Sequence, residues 1–147
     1  MTRPRTSNVI QFPGGRKLAR SGFEQVRLQI EALDRELLTL TQGKSWSAGE
    51  WAKQTATPIV RTEYIGSYLT ADSATPPAAT VSQYRRWRLA RTRNELLSVL
   101  SAIRIMLTRM GEPTLGPIGR QEVLEKLPAH RKQQQHILRK LRSCWPT

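Results

Sequence analysis

An arginine-rich stretch, residues 84–93, carries the clearest candidate binding chemistry in this 147-residue chain. Its sequence, YRRWRLARTR, interleaves five arginines with a tyrosine and a tryptophan, and the first acid after it is Glu95. Guanidinium groups bind phosphate through paired hydrogen bonds and stack on bases, and aromatic rings add stacking surface. The stretch therefore predicts a nucleic-acid contact made by Tyr84, Arg85, Arg86, Trp87, Arg88, Arg91 and Arg93.

A second basic stretch lies near the end of the chain, where residues 128–147 contain no acid. Its cations are Arg131, Lys132, Arg139, Lys140 and Arg142. We expect these side chains to contact phosphate as well. The alternative is a solvated face whose cations are favourably placed at the C-terminal end of a helix.

The overall charge points to a polyanionic partner. Lysine and arginine number 24 against 11 acids, which gives a net charge of +13, and nucleic acid is the first such partner to consider. The opening 1–20 is also basic and is interrupted by Pro4, Pro13 and Gly14. We predict a disordered basic arm there, which either tracks phosphate or serves as a solubilising tail.

The residues offer little support for catalysis, a metal or a membrane. His130 and His136 are six apart, which puts them on different faces of a helix, and Cys144 is the only cysteine. No zinc-ligand spacing, phosphate-binding glycine loop or catalytic motif is present. The apolar run near the start is too short for a signal peptide. The sequence thus predicts a non-enzyme without cofactor, metal or membrane partner, located in a reducing cytoplasm.

The helices that would position this chemistry begin with a regular apolar seam. Its residues recur at alternating steps of three and four, which is the spacing of a coiled-coil interface. They are Phe23, Val26, Ile30, Leu33, Leu37 and Leu40. Ser21 and Glu24 form a capping-box pattern at the start, so we predict a helix over about 22–42. A seam this narrow requires a partner helix.

The long helix that we predict over 81–110 supplies an apolar stripe of similar length, from Leu89 to Met110. The sequence therefore predicts an all-α fold around an antiparallel, coiled-coil-like hairpin of these two helices. In that arrangement the acids of 31–36 approach Arg86 and Arg93 and pair with some of the arginines. The first turns of the long helix would extend past its partner and expose the remaining arginines.

The connector 43–80 and the chain after Gly111 are predicted to hold shorter helices. We expect one helix that stops at Pro58, and a second over about 59–69, where a strand is the alternative. A Pro-containing linker follows. Another short helix covers 120–127, and Pro128 opens or kinks a basic helix over about 129–143. Residues 21–147 are predicted to form one helical domain.

The predicted function is nucleic-acid binding by an accessory or regulatory protein that contacts phosphates mainly through arginines. DNA is slightly preferred over RNA, because a helix can enter the major groove of B-DNA but not that of A-form RNA. A DNA-binding protein of this kind would be nucleoid-associated. The alternative is a non-enzymatic interaction module, in which the seam from Phe23 to Leu40 mediates self-association or binds a larger protein, and the basic stretches meet an acidic partner surface.

Overall fold

Four α-helices account for most of residues 22–42, 46–72 and 82–145, which are the residues that the computed structural model describes. The described residues contain no strand, so the predicted all-α class is confirmed. The predicted arm over 1–20 lies outside them. The helices are α1 (Gly22–Leu40), α2 (Ala48–Asp72), α3 (Gln83–Met110) and α4 (Pro117–Cys144).

The helices form an up-down-up-down bundle. Helices α1 and α3 each pack against both α2 and α4. At one end, Gly22 lies beside Trp145 and Tyr68, so α1 begins where α4 and α2 end. At the other end, Gly111 lies against Ala52, so α3 ends where α2 begins. Neighbouring helices are therefore antiparallel, as in other bundles with short connections.

The predicted antiparallel hairpin of the first helix with the long helix is wrong in its pairing. Helices α1 and α3 do not pack against each other; they lie diagonally across the bundle and run in the same direction. Helices α2 and α4 fill the two positions between them. Each apolar stripe packs against α2 and α4. These are the two helices that were predicted to stop at Pro58 or to be divided at Pro128.

Helix α2 is continuous through Pro58, where the sequence predicted a stop. Ser47 caps its start by accepting a hydrogen bond from the backbone N–H of Glu50 at 3.2 Å. A proline inside a helix costs roughly 3 kcal/mol. Burying one large apolar side chain contributes about 1.5–3 kcal/mol, and the unbroken helix buries Trp51, Ile65 and Leu69. The packing gain outweighs the local cost.

Helix α4 likewise joins two predicted elements. It begins at Pro117, whose fixed φ suits the first turn of a helix, and it continues through Pro128. Pro128 is exposed, so the carbonyl that loses its helical partner there can be solvated by water. The unbroken helix places Val123 and Leu127 in the same core as Leu141.

The seam of α1 lies inside the bundle. Val26, Ile30, Leu33, Leu37 and Leu40 are each at most 1% exposed. Phe23 is partly buried, and its ring meets that of Trp145 edge to face, with 6.1 Å between the ring centroids. The bundle thus uses the whole seam for its own core.

Among the described residues, ion pairs to Arg61 and Arg131 connect α1 to its neighbours. Glu36 accepts three hydrogen bonds from Arg61 of α2, at 2.8–3.0 Å. Asp34 accepts two from Arg131 of α4, at 2.6 and 3.2 Å. The acids of α1 were predicted to approach Arg86 and Arg93 on the long helix; that prediction is wrong, because α3 is diagonal to α1.

Candidate nucleic-acid interface

The first turn of α3 is exposed on all sides. Ser82 caps the helix, and its hydroxyl accepts a hydrogen bond from the backbone N–H of Arg85 at 3.2 Å. Residues 83–87 are all exposed. Since 3.6 residues complete a turn, five consecutive exposed residues show that this turn is not covered by a neighbouring helix. Leu89 is the first buried side chain of α3.

Two aromatic side chains lie on this exposed turn. Tyr84 is 65% exposed and Trp87 is 54% exposed. Their ring centroids are 5.9 Å apart, and the ring planes are tilted by 33°. The guanidinium carbon of Arg91 lies 5.4 Å from the Trp87 ring centroid on the next turn. The three side chains form one stripe along the helix, with Trp87 in the middle.

Three arginines, Arg85, Arg86 and Arg88, lie in the first two turns of α3. Within the described part of the chain, no carboxylate pairs with Arg85, Arg86 or Arg88. Arg88 donates a hydrogen bond to the hydroxyl of Ser143 at 3.2 Å, across to the last turn of α4. Cations in the first turn oppose the helix dipole, at about 0.3–1 kcal/mol each. Helix stability therefore does not explain why the arginines are placed there.

Helix α4 carries a basic stripe on its outward face. Lys132, His136, Arg139 and Ser143 are spaced i, i+4, i+7 and i+11, which puts them on one side of the helix, and all four are exposed. The stripe reaches Arg88 through its hydrogen bond with Ser143. At 1.5 Å per residue it is about 16 Å long. We call this stripe, together with residues 84–91 and Glu95 of α3, the basic surface.

The structure places several other predicted site residues in structural contacts. Arg131 is paired with Asp34, and Lys140 donates to Glu95 at 2.9 Å. The Arg93 guanidinium carbon lies 5.4 Å from the Trp145 ring centroid, so this arginine packs on the closing turn of α4. The Arg142 guanidinium carbon lies 5.8 Å from the Phe23 ring centroid. Of these residues, Lys140 and Arg142 border the basic surface, while Arg93 and Arg131 hold helices together.

Glu95 is the acid within the basic surface, and sequence reasoning did not identify its role. Its carboxylate accepts the hydrogen bond from Lys140 and lies 3.6 Å from Nε of Arg91. The hydrogen bond from Lys140 is the main cause that lowers the pKa of Glu95. The carboxylate thus pairs with Lys140 and Arg91, two cations that could otherwise bind phosphate. Spacing within α3 could have suggested Arg91 as a partner, but only the packing of α4 on α3 supplies Lys140.

Other kinds of site find no support among the described residues. They contain no group of three or more histidine, cysteine, aspartate or glutamate side chains arranged to hold a metal ion. None of their helices combines the length and the apolar character needed to cross a membrane. Comparisons with protein-family models, with curated proteins and with solved structures found no match.

Proposed function

We propose that this chain is a non-enzymatic accessory or regulatory protein that binds nucleic acid, with DNA slightly preferred over RNA. The observation that carries the proposal is the exposed turn of α3, where Arg85, Arg86 and Arg88 stand beside exposed Tyr84 and Trp87 without a carboxylate partner among the described residues. Folding gains little from this arrangement. A phosphate backbone would supply the missing counter-charge.

The basic stripe of α4 extends the contact. Lys132 and Arg139 are exposed on its outward face, and the stripe of about 16 Å corresponds to roughly half a turn of B-DNA. A surface of this length can contact several phosphates of one strand. The exposed turn of α3 lies at one end of this stripe. An α-helix fits the major groove of B-DNA, whereas the major groove of A-form RNA is too narrow for it.

The alternative function is an interaction module that binds an acidic protein partner. Pairing of the α1 seam with another chain would require the bundle to open, because Ile30, Leu33 and Leu37 are fully buried. An acidic partner would therefore have to use the basic surface, as DNA does. The two functions differ in the chemistry of the ligand, so the same variants test both.

The test is a binding titration with labelled duplex DNA, duplex RNA and an acidic polypeptide, over a series of salt concentrations. We expect the combined variant Arg85→Ala, Arg86→Ala and Arg88→Ala to keep its helicity and to bind DNA about 10²–10³-fold more weakly near 0.1 M salt. The plot of the logarithm of affinity against the logarithm of salt concentration should become less steep by about 3, since each phosphate contact contributes about 0.9 to the magnitude of this salt slope.

A matched control removes the same charge from elsewhere on the fold. Lys53, Arg109 and Lys126 are exposed and lie toward the opposite end of the bundle. Replacing these three with alanine should reduce affinity only slightly. Equal losses in the two triple variants would show that net charge, rather than the basic surface, drives binding. Tighter binding to the acidic polypeptide than to DNA would favour the protein-interaction function.

A further inference from the structure

Trp87 is the exception among the four tryptophans of this chain. Trp51 is 2% exposed and Trp145 is 8% exposed. Trp46 is partly buried and packs edge to face on Trp51, with 4.8 Å between the ring centroids. Trp87 instead lies on the outer side of the first turns of α3 beside exposed Tyr84. The core therefore does not account for this pair of aromatic rings.

The exposed faces of Tyr84 and Trp87 can accept another planar group. The two ring centroids lie 5.9 Å apart with a tilt of 33°, which is within the usual range for interacting aromatic pairs, so a ligand would stack on the exposed faces of the pair and not between the rings. Arg91 lies over the indole, with its guanidinium carbon 5.4 Å from the ring centroid; its contact to Glu95 is long, at 3.6 Å, and its side chain is 63% exposed. Arg91 can thus move from the indole toward a phosphate when a planar ligand takes its place.

The charge around the pair selects the ligand. Arg85, Arg86 and Arg88 lie within one turn of the rings, so a planar group that binds here must come with negative charge. Nucleotide bases joined by phosphates have this combination. In a continuous duplex the base faces are already stacked on one another, whereas unpaired bases can stack on aromatic side chains.

We propose that Tyr84 and Trp87 stack on unpaired bases, so that this chain binds DNA containing single-stranded segments more tightly than continuous duplex DNA. The inference rests on the proposed function and specifies its substrate. The arginines and the α4 stripe contact phosphates of either form. The aromatic pair adds affinity only where a base face is free.

The experiment compares a single strand, a duplex and a duplex with an unpaired gap, all of matched length, for the wild type and for Trp87→Ala, Tyr84→Ala and Trp87→Phe. Removing one stacking ring should weaken binding to the single strand about 5- to 150-fold. Duplex binding should weaken much less, because the base faces of a duplex are already stacked on one another. The phenylalanine variant should retain most of the single-strand affinity, because it keeps an aromatic face.

Ile105→Ala provides the matched control, because Ile105 is 55% exposed near the other end of α3. It should leave all three affinities unchanged. Trp87 fluorescence, obtained as the difference between the wild type and Trp87→Phe, should be shielded from acrylamide by the single strand but not by the duplex. Equal weakening on single strand and duplex, or no weakening, would overturn the stacking proposal while leaving the proposed function intact. Failure of the wild type to bind any DNA at low salt would overturn both.

Discussion

Replacing Glu95 with glutamine should strengthen binding to nucleic acid. The Glu95 carboxylate accepts a hydrogen bond from Lys140 at 2.9 Å and lies 3.6 Å from Nε of Arg91. It is the acid within the basic surface, and a bound phosphate would compete with it for the same two cations. Glutamine has nearly the same shape but no charge, so it releases Lys140 and removes a repulsion from the approaching backbone.

The size of the gain follows from the number of cations released. Arg91 is already 63% exposed and only loosely held, so Lys140 is the one new phosphate contact. One contact adds about 0.9 to the salt slope, which corresponds to roughly tenfold in affinity near 0.1 M salt. The ion pair itself is more than a third exposed on both sides. Its loss should therefore lower the free energy of unfolding by at most about 1 kcal/mol.

The assay is a salt-dependent titration of Glu95→Gln against labelled DNA, with Glu122→Gln as the control. Glu122 is exposed in the second turn of α4, so its replacement makes the same change in net charge away from the basic surface. We expect the slope to increase by about 1 for Glu95→Gln and to stay nearly constant for Glu122→Gln. Unchanged or weaker binding by Glu95→Gln would refute the view that this carboxylate competes with phosphate.

The same variant gives a prediction for the pH dependence of stability. The pKa of Glu95 is lowered in the folded chain, chiefly by the hydrogen bond from Lys140. Its stabilising contribution is therefore present above the unfolded pKa, about 4.3 for glutamate, and is lost as the pH falls through the lower folded value. In denaturant titrations, Glu95→Gln should be slightly less stable than the wild type at neutral pH, and the difference should vanish in acid. A constant difference would contradict this assignment.

Three further variants test the packing. Leu33→Ala should lower the free energy of unfolding by about 3 kcal/mol, since removal of this fully buried side chain leaves a cavity. Leu33→Asp should unfold the monomer. If the circular dichroism of Leu33→Asp stays native while an oligomer dissociates, the seam lies at an interface between chains. Pro128→Ala should raise stability by about 1–2 kcal/mol, because it restores a helical N–H at an exposed position of α4, and this corresponds to about 2–8 °C in melting temperature. A lower melting temperature would show that α4 needs the proline to follow the bundle.

Local periodicity predicted the helices better than their pairing. The steps of three and four from Phe23 to Leu40 placed α1 within two residues of its observed ends. The helix boundaries predicted at Pro58 and Pro128 are wrong, because the cost of an internal proline is visible in the sequence whereas the burial of Ile65 or Leu141 that outweighs it is not. Without a continuous α2 and α4, α1 had only α3 as a partner, and the diagonal arrangement could not be predicted.

In the candidate site, too, local features were predictable from the sequence, whereas contacts between helices were not. Exposure of Tyr84, Arg85 and Trp87 was predictable, because the apolar stripe of α3 begins only at Leu89. The ion pair with Asp34, which makes Arg131 unavailable to a ligand, was not predictable, because these residues are 97 positions apart in sequence. Pairwise contacts between distant helices decide which cations remain available, and no spacing rule within one helix reveals them.

The buried thiol of Cys144 makes the closing turn of α4 accessible to kinetic measurement. The side chain is 2% exposed, and its sulfur contacts the carbonyl oxygens of Lys140 and Leu141. A thiol reagent can reach this sulfur only when the turn opens, so the modification rate reports the free energy of that local opening. Because this is the only cysteine of the chain, the rate isolates a single event beside Ser143 and Arg88. A ligand that bridges α3 and α4 would slow the reaction in proportion to its occupancy.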